Sequence, residues 1–399
     1  MPELGRRPVE VPILAWVLGQ IGLHSAMAGV RMAAPLQVLR EGHSAWAVGL
    51  LMALFAAAPV LLALPAGRWA DRHGYHRPVG LAVAMVVAGG ALAWLACWFS
   101  GTAHLALLSL AACSAGAGAN IGLIAIQRAA SRAAEDSVQR VRVFSWLGLA
   151  PSISNVVGPV TAGLLIDAAG FPVAYAALLL LPLLTLATAR RVPREPPLDG
   201  AGVAGGGSSW DLWKLPGLRR LMLVNWLLGT CWDVHSFAVP ILGHERGFSA
   251  STIGLVLGVF PLSVSAVRLL IPMLAHRMDE VQVLRAAMIG TAVVFAVYPL
   301  VPSAWLMGCC AVVLGVTLGA VQPMIMSTLH HLTPAHRHGE AIAMRSMTLN
   351  FSSALMPLLF GAAGTTLGVA PLFWLVGGAV GAGSRLTARL DTPSRAEGA

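Results

Sequence analysis

The sequence predicts an all-α polytopic membrane protein with twelve transmembrane helices in two pseudo-symmetric six-helix bundles. Three observations carry that prediction. First, 57% of the 399 residues are hydrophobic and 11% are charged, against about a quarter charged in a soluble domain, and the mean hydropathy is +0.76. Second, apolar runs of about 20 residues, long enough to cross a bilayer, recur twelve times, and one long polar stretch, 190–218, divides them six and six. That stretch contains "PPLDGAGVAGGGSS", the Pro and Gly/Ser content of a flexible linker. Third, the two halves match each other without gaps. The expected organisation is an N-terminal six-helix bundle over 1–189, a cytoplasmic linker over 190–218 and a C-terminal six-helix bundle over 219–399.

Taken in order, span one (11–35) follows Arg6 and Arg7 and so mimics a signal peptide, but the run is too long for an h-region and carries Arg31. It is expected to remain as an uncleaved first span. Spans two (45–66) and three (79–99) bracket the charged stretch 67–78. Span four (103–127) is rich in Ala and Gly, span five (143–166) carries a stripe of small and polar residues, and span six (172–189) ends on Arg190 and Arg191. Span seven (219–241) contains Asp233, the one acidic residue well inside a span. Span eight (250–275) repeats span two: "PLQVLREGHSAWAVGLLMALF" (35–55) lies over "PILGHERGFSASTIGLVLGVF" (240–260) at an offset of 205. Spans nine (284–301) and ten (304–329) are mostly apolar, with Arg285 at the start of one and Gln322 in the other. Span eleven (340–363) repeats span five at an offset of 198, with Pro159 over Pro357 and Gly163 over Gly361. Span twelve (368–386) closes the set with Arg385.

Of the 26 Lys and Arg residues, 21 fall on the side of the termini, two (Arg40 and Arg246) in the opposite loops and three within spans. The positive-inside rule therefore puts both termini in the cytoplasm, and the expected location is a bacterial inner membrane. The formal charge of +9 is scattered between apolar runs, so no nucleic-acid surface is expected. The five cysteines lie inside apolar runs and form no CxxC, which reads as packing and not as a metal site. No phosphate-binding loop marks the chain as ATP-driven. A membrane enzyme would rest on His330, His331, His336 and His338, which lack acidic partners at ligand spacing apart from Glu340. The expectation is a protein without cofactor, metal or catalytic residue.

Two homologous halves about a midplane site is the layout of a transporter. "GRWADRHGYHR" (67–77) makes the resemblance definite. Gly67, Asp71, Arg72 and Gly74 match, in place, the loop 2–3 signature of the major facilitator superfamily, with Arg77 standing in for the basic residue after the second glycine. The twelve-span layout extends the likeness over nearly the whole chain. The resemblance implies that this stretch is a conformational latch: Asp71 would accept from the N-terminus of span eleven, held ionised by Arg72 and Arg77.

"NVVGPVTAG" (155–163) resembles the span-five signature of the family's drug:proton antiporters, with Gly158 and Pro159 as its central pair and Gly163 following. That likeness implies a packing seam against span eight, with Pro357 and Gly361 as its counterpart in span eleven. Span four departs from the antiporter pattern, since Ala112 and Ala115 stand where Arg and Gln are usual.

Ionisable groups at bilayer depth mark cavities or partners. Arg31 corresponds to Ser236 by the 205 offset and so lies at the depth of Asp233. The two are candidates for a gate or a proton-coupling pair, with His235 and His24 in reserve. Arg268 and Arg345 either line the cavity, which would suit an anionic substrate, or snorkel to the headgroups. Asn120, Asn155, Gln322, Asn350 and Trp232 either meet a substrate or hold helices together. The expected activity is proton-linked export of a small organic solute by a monomer that rocks its halves in the lipid bilayer. Uptake or facilitated transport of a small organic anion is the alternative.

Overall fold

The computed structural model describes residues 12–133, 137–194, 215–274, 279–333, 338–388 and 390. Most of the expected linker, 195–214, lies outside the described residues, as does 334–337 with His336. The first half comprises α1 (Ile13–Arg40), α2 (Ala45–His73), α3 (His76–Ala96), α4 (Gly101–Ala133), α5 (Ser137–Leu178) and α6 (Leu181–Ala189). The second comprises α7 (Pro216–Glu245), α8 (Ala250–Leu274), α9 (Glu280–Val297), α10 (Ala304–Gly319), α11 (Val321–Leu332), α12 (His338–Leu367) and α13 (Ala370–Thr387).

These thirteen helices make the twelve passes. Span five ends inside α5 at Gly170, whose φ of 83° turns the chain back in a conformation that only glycine adopts freely. The rest of α5 and α6 form span six. Span ten, expected as one helix, is broken at Ala320 between α10 and α11. Pro323 accounts for the break, because its ring conflicts with the carbonyl four residues back, at Gly319.

Among the described residues, nine stretches are long and apolar enough to cross a bilayer. One of them, Trp146–Ala189, is 44 residues long and holds two passes. Helices α7 and α13 complete the twelve. α7 is less apolar because it carries Asn225, Thr230, Asp233 and His235, all buried inside the protein. α13 is diluted by glycines and carries Arg385 in its last turn. Large apolar side chains such as Leu61, Leu262 and Trp305 lie outward, as a lipid-facing surface requires.

An even number of passes brings both ends of the chain to one face, here the terminal face. On the opposite face the halves meet along two equivalent seams, α5 against α8 and α2 against α12. A side chain at Gly254 would run into the Pro159 carbonyl, and one at Gly49 into the Pro357 carbonyl. Gly163 abuts the Ala250 carbonyl, and Gly361 abuts that of Ala45. Gly49 and Gly254 are 205 residues apart, as are Ala45 and Ala250, while Gly163 and Gly361 are 198 apart. The two sequence offsets are therefore the two sides of one duplicated contact.

Candidate functional site

The seams close the opposite face over a central cavity. A lobe of about 300 Å³ between the halves is lined by His24 and Arg31 of α1, Asn120 of α4, Trp232 and Asp233 of α7, and Asn350 of α12. A second lobe of about 320 Å³ lies within the second half, lined by Asn225, Trp232, Asp233, Arg268, Gln322 and Arg345. A small third space of about 50 Å³ holds Arg31, Asn155, Trp232 and His235 on its walls. Trp232 borders all three, so they surround one point near the middle of α7. Its ring is fixed there edge-on to Phe260, 4.5 Å between centroids.

Helix geometry explains why α7 dominates. Asn225, Gly229, Trp232 and Ser236 are spaced four, three and four and share one face, with Asp233 beside them. The Asp233 carboxylate accepts a hydrogen bond from Ser353 on α12 at 3.2 Å. Arg31 and Asp233 line the same lobe from opposite halves, yet among the described residues they make no contact within 4.0 Å. The buried Nε of Arg31 has no partner there. His235 is 1% exposed, and neither ring nitrogen finds a partner. It packs instead on Phe260, at 4.5 Å, and Tyr298, at 5.9 Å.

The polar residues of the second lobe are tied to one another. Arg268 donates from Nη2 to Gln322 Oε1 at 2.9 Å, and Arg345 donates from Nε to Asn225 Oδ1 at 3.1 Å. Both arginines line this cavity and are held by amides there. The seven residues expected at a cavity, Arg268, Arg345, Asn120, Asn155, Gln322, Asn350 and Trp232, all line one of the three spaces. Asn120 also donates to the Pro59 carbonyl at 3.4 Å, and Asn155 to Pro151 at 2.8 Å.

At the seam, Pro159 and Gly163 face α8, whereas Gly158 packs against α1, where a side chain would meet the Ser25 carbonyl. In the charged stretch, Gly74 has φ 71° and closes α2 by donating to Ala70 at 2.9 Å. Gly67 lies within α2 with open space around it, and Arg72 and Arg77 are exposed. The Asp71 side chain lies outside the described residues.

Two functional positions were missed from the sequence. Asp167, at the outer end of span five, accepts from the backbone N–H groups of Ala250 at 3.0 Å and Ser251 at 2.6 Å. A carboxylate of the first half thus caps the first turn of α8 in the second, with Arg40 at 3.8 Å. Nothing local to Asp167 announces a partner 83 residues away. Asn225 was legible in principle, through its place on the α7 stripe.

The family model for the Major Facilitator Superfamily matches residues 17–231 and 221–398. Among solved structures, the nucleoside transporter NupG superposes with a TM-score of 0.75 at 12% identity, covering 96% of this chain and 100% of its own. A POT family transporter in complex with 5-aminolevulinic acid gives 0.73 at 14% identity, covering 95% and 96%. A bacterial homologue of the iron transporter ferroportin, in an inward-facing state, gives 0.71 at 16%, covering 95% and 98%. No curated protein matches the chain. At these identities the structural likeness concerns the fold.

Proposed function

Because the chain belongs to the Major Facilitator Superfamily, and is a membrane transporter of that type, we propose that it exports a small organic solute by alternating access coupled to protons. The proposal sets it in a bacterial inner membrane with the terminal face cytoplasmic. The observation that carries it is the lobe between the halves, which joins Arg31 from one to Asp233 from the other under a closed opposite face. A site walled by both halves changes its access when they rock. Asp233, the one acidic residue among the lining residues of these spaces, is assigned the coupling proton. Its tie to Ser353 spans α7 and α12, two helices that rocking of the half carries together.

The distribution of basic residues supports the orientation, with 21 of 26 on the terminal face. The charged stretch 67–77 is assigned the latch that closes that face in the other state, and the Gly/Pro seams the closure seen here. The test is a reconstitution in liposomes holding a pH dye. A solute gradient should drive proton movement in the unmodified protein and none in Asp233→Asn. Solute movement without proton movement in either would leave a facilitator, the reading that the two cavity arginines favour.

A further inference from the structure

We infer that the lobe within the second half is an acid-recognition site, where Arg268, Arg345 and Asn225 hold the carboxylate or phosphate head of a small amphipathic organic anion. This rests on the transporter reading and names its substrate class. Hydrogen-bond donors outnumber the acceptors that face them in this lobe. An arginine has no acceptor, so the amide oxygens of Gln322 and Asn225 must face the guanidinium groups they serve. Each oxygen thereby accepts from a guanidinium. Donors remain. Arg268 Nε is buried without a partner, and so is Nδ2 of Asn225, a residue only 3% exposed. Arg345 keeps both Nη groups beyond its single bond to Asn225.

The charge balance points the same way. Among the described residues neither guanidinium lies within 4.0 Å of a carboxylate. Both guanidinium groups belong to residues that line the same lobe. Asp233, at the boundary with the other lobe, engages Ser353 and shares that other lobe with Arg31. A surplus positive charge and unmatched donors along one cavity wall call for an anionic acceptor. The remaining wall is apolar, from Leu228, Trp232, Val321 and Leu349, which fits a hydrocarbon or aromatic body behind the acidic head. The volume, about 320 Å³, suits a small molecule.

The test compares four probes that share one body and differ in the head: phenylacetate, phenyl phosphate, phenylacetamide and phenethylamine. Binding to the purified full-length protein is measured by calorimetry. At least one anion should bind about ten-fold or more tightly than the amide and the amine, the scale of a charge-assisted hydrogen bond. Whichever anion binds tighter identifies the head as carboxylate or phosphate. Arg268→Gln and Arg345→Gln should each lose about ten-fold or more for that anion, with Arg345→Lys keeping part of the affinity.

Equal binding of all four probes, preference for the amine or binding of neither anion overturns the inference. So does unchanged anion affinity in a glutamine variant that elutes like the unmodified protein on size exclusion. The four-head comparison needs no variant, so it decides the matter even where a substitution prevents folding. Failure here is separable from failure of proton coupling. Phenethylamine driving Asp233-dependent proton flux removes the acid site and leaves the antiporter. Anion counterflow without proton flux does the reverse.

Discussion

Removing the carboxylate of Asp167 should release the closed face. Asp167 accepts from Ala250 at 3.0 Å and Ser251 at 2.6 Å, bridging the halves across the α5–α8 seam. When the seam opens, water takes over both donors, so what is lost is the net value of a helix cap, about 1 kcal/mol. The interaction of the charge with the first turn of α8 adds roughly 0.3–1 kcal/mol. The Arg40 contact is long, at 3.8 Å between side chains that are 38% and 28% exposed, and is taken as zero. The sum, about 1.5 kcal/mol, moves the ratio of closed to open by about ten-fold. Spin labels at Thr102→Cys and Pro302→Cys, both exposed on the opposite face in different halves, report that ratio in a background without the native cysteines. Asp167→Ala should enlarge the long-distance population by about ten-fold, and Asp167→Asn, which retains one acceptor oxygen, by less. An unchanged distance distribution in Asp167→Ala would refute the assignment of the clasp.

Three further outcomes follow from the same geometry. Gly49→Leu and Gly254→Leu should act alike and favour the open opposite face, because each drives a side chain into a proline-residue carbonyl across an equivalent seam; labelling of seam cysteines from that face measures it. His235→Phe should raise stability by about 1 kcal/mol or leave it unchanged, since both ring nitrogens are buried without partners, and thermal melting checks this. The same variant should keep its proton flux, whereas Asp233→Asn should lose it, which assigns the coupling role between these neighbours on α7.

The duplication was legible because close packing of backbones leaves residues with no freedom: where Gly49 and Gly254 touch carbonyls, any side chain is excluded, so the pattern survives as an ungapped match. The cavity arginines were legible as candidates because charge is costly at that depth, although their amide partners were not, since a polar residue in a span serves a ligand or a neighbouring helix equally well. The broken tenth pass had a visible cause in Pro323. The Asp167 clasp had none. A carboxylate at a helix end is ordinarily solvated, and its partner here is a pair of backbone groups, which carry no side-chain signature.

Alternate access to one cavity from two faces is read at Leu349, which lines the second lobe. A single cysteine there, in a background without the native ones, is exposed to a membrane-impermeant maleimide applied to each face in turn. Labelling is expected from the terminal face in the unmodified background, with a gain of labelling from the opposite face when Asp167→Ala is added. Equal labelling from both faces in the unmodified background would describe an open pore and contradict alternate access.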